Sequence, residues 1–460
     1  MKQEKTNSPA GADSAAPRPR LIVDHQACLS GAGDGLLATL KAELTLENPK
    51  YRDARKYGRW IGKQLKPRLY FYQQTPDGLL FPRGFARRAA HYCQQATGHP
   101  PLIEDRRREL PFLELNFQGE LRPYQEEARA DILSRDFGIL EAGTGSGKTV
   151  VACGIIAARQ QPTIILVHTK ELLYQWADRI QQFLGYQPGL LGDGQREIKP
   201  LTVAIVNSAR SRLAELPGHF GQLCVDECHR VPAALFTDVV TAFDCRYMLG
   251  LSATAYRRDG LTRLINYYLG ERVHRIETDE LQRSGAILKA ELIQRPTAFR
   301  YPYRGNYQAL LKALTGDRER NRLIAGDIAA EAAEPGTILV VSDRVQHCET
   351  LAARLAELGV SNRALTGATP AEERNQLVKD LQQGEVRVLI STVQLIGEGF
   401  DCPGLRCLFL TTPIKFTGRL LQVVGRILRP AADKKPRVYD YVDPVGVLGY
   451  SAQSRALALE

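Results

Sequence analysis

A chain of 460 residues is too long for one ordinary hydrophobic core, and we expect it to divide into two or three domains. Hydrophobic residues make up 44% and charged residues 24%, which is typical of a soluble globular protein with a packed fold. The 61 basic residues outnumber the 51 acidic ones, and the formal net charge of +10 favours a polyanionic partner.

The cysteine pattern and the absence of long apolar runs exclude several other protein classes. The nine cysteines are odd in number and scattered, and they form no Cys-x-x-Cys pair. This usage argues against a disulfide or zinc framework and indicates a reduced, cytoplasmic protein. No run of about 18 apolar residues occurs, so we expect no membrane span. Residues 1–20 are polar and rich in Ala, Pro and Ser, and we expect a disordered tail there.

Residues 21–115 are expected to form a small α+β accessory domain that binds nucleic acid. Within it, residues 51–100 hold ten Lys or Arg against two Asp, together with nine aromatic residues. Basic side chains neutralise phosphates and aromatic faces stack on bases, so this composition favours nucleic-acid binding. The alternative is an ordinary small domain whose aromatic residues form its core and whose charges are solvated.

A helix predicted to start near Arg122 and to run through Leu133 comes next. The amide of Gln125, in its first turn, has the donor and acceptor pair that fits the edge of an adenine.

A glycine-rich turn then lies between an apolar run, residues 137–140, and a helix-compatible segment, residues 150–158. Strand, loop and helix in this order are the context of a phosphate-binding loop. The glycines let several backbone N–H groups point at one anion, and the following helix adds its positive end. We expect Lys148 to reach the β and γ phosphates of ATP and Thr149 to bind Mg²⁺. The other loop residues expected around the phosphates are Gly143, Thr144, Gly145, Ser146 and Gly147.

Short apolar runs alternate with helical patterns beyond this loop, which predicts a parallel sheet covered on both faces. Ligands of such sheets collect at the carboxyl ends of the strands. Asp226 and Glu227 directly follow the apolar run 222–225. Asp226 can hold Mg²⁺ through its water shell, and Glu227 can accept a proton from an attacking water.

A second alternation of strands and helices starts near Gly336 and contains no phosphate loop. Instead, Gln422, Arg426 and Arg429 share one face of a predicted helix, because they stand at i, i+4 and i+7. A planar, permanently charged guanidinium suits the transition state of γ-phosphoryl transfer. We therefore expect these three residues to act on ATP that is bound to the first domain.

The order and spacing of the motifs resemble the superfamily 2 helicases, in the branch that contains XPB and the phage helicases of the UvsW type, over about residues 118–445. The resemblance implies an α/β fold of two tandem RecA-like domains at residues 116–285 and 336–445, with a connector at 286–335 and a tail at 446–460. It also implies residue roles. Gln125 would contact the adenine of ATP, and Arg122, Gly399 and Asp401 would also bind the nucleotide. Lys170 and Thr392 would contact the nucleic-acid backbone, and the coupling residues would be His229, Ser252 and Thr254.

These features favour an ATP-driven DNA helicase or double-strand translocase in repair, recombination or a mobile-element or defence system. An RNA helicase is the first alternative, because the motifs of the two classes overlap. A motor subunit that delivers a partner nuclease or polymerase is the second, since the chain carries no nuclease signature. Lys148, Glu227 and the two arginines argue against a third alternative, a module that binds ATP without hydrolysing it.

Overall fold

The computed structural model describes residues 18–56, 58, 60–62, 65–230, 233–253, 260–367, 369–370, 373, 376–377, 380–381, 383, 385–396, 404–414, 424–425, 427–428, 430 and 434–459. Within these ranges the strands form three larger sheets, of five, eight and six strands, and one separate pair. Among the described helices, none combines the length and the hydropathy that a membrane span requires.

The N-terminal unit contains the first seven strands: β1 (Arg20–Val23), β2 (Ala27–Ser30), β3 (Thr45–Glu47), β4 (Arg68–Tyr70), β5 (Gln73–Thr75), β6 (Gly78–Phe81) and β7 (Leu102–Asp105). Five of them form a sheet in the order β5-β6-β2-β1-β7, and β3 pairs with β4 as a separate antiparallel ribbon. The unit also contains three helices: α1 (Asp34–Glu43), α2 (Pro49–Lys56) and α3 (Ala86–Thr97). Its core is apolar and includes Leu29, Leu79 and Phe85.

The first α/β domain is built on the eight-stranded sheet, in the order β11-β10-β12-β9-β13-β14-β8-β15. Its strands are β8 (Phe137–Ala142), β9 (Thr163–Val167), β10 (Gly189–Gly192), β11 (Gln195–Arg196), β12 (Leu201–Ile205), β13 (Gln222–Val225), β14 (Tyr247–Ser252) and β15 (Arg272–Ile276). Its helices are α4 (Pro123–Leu133), α5 (Lys148–Arg159), α6 (Lys170–Leu184), α7 (Val206–Arg210), α8 (Ala233–Ala242), α9 (Thr262–Leu269) and α10 (Thr278–Arg283). All five residues of β9 are buried, as expected for a strand covered on both faces.

The second α/β domain is built on the six-stranded parallel sheet, in the order β16-β21-β20-β17-β19-β18. Its strands are β16 (Glu291–Pro296), β17 (Thr337–Ser342), β18 (Asn362–Leu365), β19 (Val388–Thr392), β20 (Leu405–Leu410) and β21 (Arg437–Val442). Its described helices are α11 (Tyr307–Gly316), α12 (Arg318–Ala332), α13 (Val345–Glu357), Val393–Ile396 and Gly446–Leu459. The two sheets, which are parallel apart from the antiparallel pair β10–β11, confirm the predicted α/β class.

The structure differs from the predicted boundaries of this domain at both ends. Strand β16 falls in the expected connector, yet it pairs with β21 along its whole length. The expected tail forms the helix Gly446–Leu459, where the buried Arg455 donates a 2.8 Å hydrogen bond from Nε to Asp440 Oδ1. Strand β16 has no strong apolar pattern in its sequence, because it lies at the sheet edge and several of its residues are half-exposed or exposed.

The N-terminal unit packs tightly on the first α/β domain. Arg83 is 2% exposed, and its Nη1 donates a 2.7 Å hydrogen bond to the carbonyl oxygen of Cys245. In the other direction, Tyr267 of α9 is buried in the core of the N-terminal unit. A buried guanidinium needs its partners, so we expect the two parts to fold as one body.

Candidate nucleotide and nucleic-acid site

The phosphate loop connects the carboxyl end of β8 to the start of α5. Gly145 and Gly147 have φ angles of +92° and +78°, in the left-handed region that favours glycine. A Cβ on Gly147 would also lie 2.4 Å from Gln125 Nε2, so a larger residue would displace the Gln125 amide. Helix α5 begins at Lys148, and its first N–H groups therefore face the loop. This is the cradle that a nucleotide phosphate requires.

Lys148 lies between the loop and the two acidic residues after β13. Its Nζ donates a 2.8 Å hydrogen bond to the carbonyl oxygen of Ala142 and lies 3.9 Å from Glu227 Oε1. Both side chains are only 11% exposed. The ammonium group is therefore at the centre of the site, where it can move from a backbone partner to a phosphate.

Asp226 is fixed by two hydrogen bonds. Trp176 Nε1 donates to Asp226 Oδ2 across 2.8 Å, and the backbone N–H of Glu227 donates to Oδ1 across 2.9 Å. These contacts leave lone pairs on both oxygens for water molecules of a metal ion's hydration shell. The side chain therefore fits the expected role in holding Mg²⁺.

Glu227 has two unusual features. Its φ angle of +46° lies in the left-handed region, which is costly for a residue with a side chain and is found most often at functional sites. Its Oε2 is buried and has no hydrogen-bond partner among the described residues. An orphaned carboxylate oxygen at this point fits a group that accepts a proton from water.

The electrostatics of the site separate the two acids. Burial raises the pKa of Asp226 to about 6, and the charge of Glu227 acts in the same direction. Burial also acts to raise the pKa of Glu227, but the positive charge of Lys148 and its neighbours outweighs this, and the pKa falls below its ordinary value. Glu227 is therefore ionised at neutral pH, as a general base must be.

His229 connects the acidic pair to the end of β14. Its Nδ1 lies 2.9 Å from Ser252 Oγ and 3.3 Å from Glu227 Oε2. Burial lowers the pKa of His229 to about 4, so the ring is neutral at pH 7. His229 therefore stands between Glu227 and Ser252, with a hydrogen bond to the serine and its Nδ1 close to the glutamate oxygen, and this polar path links the two. Thr254, the third expected coupling residue, lies outside the described residues.

Gln125 secures the phosphate loop to α4. Its Nε2 donates to the carbonyl oxygen of Ser146 across 2.8 Å, and its Oε1 accepts from the backbone N–H of Arg122 across 3.0 Å. Tyr124 supports the same carbonyl through its hydroxyl, at 3.2 Å. One amide N–H and one lone pair of Gln125 are left for the expected adenine contact.

The second domain touches the phosphate loop through Gly425. A Cβ on Gly425 would lie 2.4 Å from Thr144 Cβ in the phosphate loop. Nearby in the second domain, the carbonyl oxygen of Leu428 accepts a 2.7 Å hydrogen bond from the backbone N–H of Leu288, in the chain that follows the first domain. The expected residues Gln422, Arg426, Arg429, Gly399 and Asp401 lie outside the described residues. The contact of Gly425 nevertheless brings this described part of the second domain against the phosphate loop.

The two expected nucleic-acid contacts follow the carboxyl ends of parallel strands. Lys170 is the exposed first residue of α6, after β9. Thr392 ends β19 and is 9% exposed, so little of its side chain reaches solvent. The lysine is the better placed of the two for a phosphate contact.

Sequence reasoning missed Trp176 altogether. This residue lies on the buried face of α6 with Leu173, Ile180 and Leu184, where it reads as an ordinary core residue. The one signal was chemical, because a buried indole N–H usually has a hydrogen-bond partner.

Seven of the nine aromatic residues of the basic N-terminal segment divide into two groups. Phe81 and Phe85 are 1% exposed and belong to the core, and Phe71, Tyr72 and Tyr92 pack against it. Trp60 and Tyr70 are 89% and 55% exposed. The larger group therefore fits the alternative prediction, in which the aromatic residues form the core of the domain. Nucleic-acid binding stays a prediction for the exposed Trp60 and Tyr70.

Comparisons with known proteins agree with this geometry. The family models for the res subunit of type III restriction enzymes and for the helicase conserved C-terminal domain match residues 118–257 and 320–431. The chain is 28% identical over 357 residues to the DNA 3'-5' translocase XPB2 of Sulfurisphaera tokodaii, covering 70% of this chain and 81% of that protein. It is 23% identical over 447 residues to the ATP-dependent DNA helicase uvsW of Enterobacteria phage T4, covering 89% and 86%.

A solved structure shows the same fold. The Hef helicase domain of Pyrococcus furiosus aligns with a TM-score of 0.51 at 14% identity, over 73% of this chain and 98% of that one. The two α/β domains are therefore a tandem RecA-like pair. With its two family matches and its relatives, the chain belongs to the superfamily 2 helicases, in the group that contains XPB and UvsW.

Proposed function

We propose that this protein is an ATP-dependent DNA helicase or translocase, which couples ATP hydrolysis to movement along DNA or to its remodelling. One observation carries the proposal: a phosphate loop with Lys148, an acidic pair with an orphaned carboxylate oxygen, and a path through His229 to Ser252 occur together. The names of relatives such as XPB2 and uvsW favour DNA as the substrate.

In this mechanism ATP lies on the phosphate loop, with Lys148 at its outer phosphates. Bound Mg²⁺ would neutralise phosphate charge, and Thr149 and Asp226 are the residues that would hold it. Glu227 takes the proton of the attacking water, and Arg426 and Arg429 approach from the second domain to stabilise the transition state. Gly425, in contact with Thr144, supports this approach.

Hydrolysis is transmitted to the nucleic acid through the path from Glu227 to His229 and Ser252. Loss of the γ-phosphate changes the surroundings of Glu227, and the neutral His229 passes that change to the end of β14. Opening and closing of the two domains then advances the strand. We propose movement from 3′ to 5′, as the name of the XPB2 relative states for that protein.

The experiment is a comparison of the ATP hydrolysis rate of the full chain with single-stranded, duplex and forked DNA and with RNA. The proposal predicts stronger stimulation by DNA than by RNA. Stimulation by RNA alone would identify an RNA helicase instead, which is the activity in the name of a mimivirus relative. Displacement of streptavidin from one end of a single strand tests direction, since a 3′ to 5′ motor clears the 5′ end.

Repair, recombination and mobile-element or defence systems remain the proposed settings, and a partner nuclease or polymerase remains a prediction.

A further inference from the structure

The N-terminal unit carries a basic and aromatic surface that the ATP site does not use. We define it by six exposed residues in the stretch of chain from α2 to β4, namely Lys50, Arg55, Trp60, Lys66, Arg68 and Tyr70, and name it the Trp60 surface. Trp60 is 89% exposed and Tyr70 is 55% exposed. Exposed indole and phenol rings are costly to solvate, and such groups mark contact sites.

The β3–β4 ribbon holds part of this surface firmly against the first RecA-like domain. Leu46 and Leu69 pack against a core cluster of that domain. Side chains alternate along a strand, so Arg68 and Tyr70 point to the opposite, solvent side. The part of the surface that lies on β4 is thus held against the first RecA-like domain.

Charge on this segment is mostly uncompensated. Residues 47–70 contain eight basic and two acidic residues. The two acids, Glu47 and Asp53, lie 3.8 Å and 3.5 Å from Arg52. In the described part of the chain, Lys50, Arg55, Lys66 and Arg68 are exposed and have no ion pair.

This chemistry fits nucleic acid better than protein. Free cations follow a phosphate backbone while exposed rings stack on unpaired bases. A protein interface needs an apolar centre, and the described residues 45–70 expose no large aliphatic side chain.

The position of the surface relative to the motor supports the same conclusion. A Cβ on Gly260 would lie 3.0 Å from the Cγ atom of Pro49, which is the first residue of α2. Gly260 stands between β14, which ends at Ser252 in the proposed coupling path, and α9. Helix α2, which carries Lys50 and Arg55 of the Trp60 surface, therefore contacts the first domain at Gly260, in the connection that follows β14.

We propose that the Trp60 surface binds single-stranded nucleic acid, such as the unpaired arm of a fork, with one base stacked on the indole of Trp60. The inference rests on the proposed function, because the bound strand would continue onto the motor. The Trp60 surface would be a nucleic-acid-binding site outside the two RecA-like domains, and it would give the protein a preference for substrates that contain an unpaired strand.

The test uses the full chain and an oligothymidylate about 20 nucleotides long. Trp60→Ala should weaken binding about 5- to 150-fold, the range for one lost stacked base, while Trp60→Phe should weaken it less. Tyr450→Ala is the matched control, because Tyr450 is 77% exposed on a helix of the second domain. The rate of ATP hydrolysis without DNA should be unchanged in all three variants.

Fluorescence provides an independent readout, since the chain has only two tryptophans and the other, Trp176, is buried. Oligothymidylate should quench the emission of the wild type much more strongly than that of Trp60→Phe. Lys66→Ala with Arg68→Ala should reduce the log–log salt slope by about 0.7 for each lost phosphate contact.

Unchanged affinity in Trp60→Ala, together with unquenched emission in the wild type, would overturn the inference and leave the surface to a protein partner. The proposed function would still stand if DNA stimulated ATP hydrolysis equally in the wild type and Trp60→Ala. A wild type that neither binds DNA nor responds to it would contradict both.

Discussion

The indole N–H of Trp176 donates a hydrogen bond to Asp226 Oδ2 across 2.8 Å, and the indole is 1% exposed. Trp176 belongs to α6, whose first residue is Lys170, a proposed nucleic-acid contact. A single helix therefore joins the proposed strand-binding edge to the acid proposed to hold Mg²⁺. If α6 moved when it bound a nucleic-acid strand, the hydrogen bond from Trp176 would transmit that movement to Asp226.

Replacing Trp176 by Phe should preserve packing and remove the N–H donor. Hydrogen bonds to charged groups contribute about 1.5–3 kcal/mol, so kcat should fall about 10- to 100-fold and the Mg²⁺ concentration for half-maximal activity should rise. ATP hydrolysis measured against Mg²⁺ concentration checks this, with Trp60→Phe as the control. Wild-type Mg²⁺ dependence in Trp176→Phe would remove Trp176 from the site.

Ser252→Ala should separate hydrolysis from movement. The change deletes the hydroxyl 2.9 Å from His229 Nδ1, and it leaves Lys148, Asp226 and Glu227 in place. We expect most of the ATP hydrolysis to remain and duplex displaced per ATP hydrolysed to fall strongly. Ser211→Ala, at an exposed hydroxyl, is the control. An unchanged yield of displaced strand per ATP would show that coupling takes another route.

Gly425→Ala tests the contact between the domains. Its Cβ would lie 2.4 Å from Thr144 Cβ, so the phosphate loop or the second domain must shift. We expect a loss of at least about 10-fold in kcat/KM for ATP, because small displacements of catalytic groups carry large costs. Gly449→Ala meets no atom within 4 Å and is the matched control. Equal rates in the two variants would mean that the domains do not meet at Gly425 during turnover.

His347 predicts a pH dependence of stability in the second domain. Burial lowers its pKa from 6.5 to about 3, and its ring nitrogens meet Ser342 Oγ and Asn321 Oδ1 at 2.9 Å and 3.0 Å. Between these two pKa values the unfolded chain binds the proton and the folded one does not. The contribution of the neutral His347 ring to the free energy of unfolding is therefore fully present above pH 6.5, and it is lost as the pH falls from 6.5 towards 3.

The measurement is the free energy of urea unfolding at pH 7.5 and at pH 5.5. His347→Gln should lose about 1.4 kcal/mol less than the wild type over this interval, whatever its stability at the higher pH. His99→Gln, at an exposed histidine, should keep the wild-type difference. Identical differences in the wild type and His347→Gln would contradict a buried neutral ring.

The elements that could be predicted from the sequence are those whose own residues show an apolar run or a glycine-rich turn. A buried strand such as β9, Thr163–Val167, shows as an apolar run, and the glycines around Lys148 mark the phosphate loop by themselves. Strand β16 was missed because half-exposed edge residues hide its apolar side. Contacts between distant segments, such as Arg83 with Cys245 or Trp176 with Asp226, depend on tertiary packing that no local pattern encodes.

The central claim is that this ATP site drives a DNA motor, and Glu227→Gln tests it most directly beside Lys148→Ala. ATP hydrolysis, ATP binding and DNA binding are measured for both variants and the wild type. Glu227→Gln should lose turnover but still bind ATP and hold DNA, because it lacks only the proton acceptor, whereas Lys148→Ala should also lose ATP affinity. Near-wild-type hydrolysis in Glu227→Gln, or equal loss of ATP binding in both variants, would contradict the account.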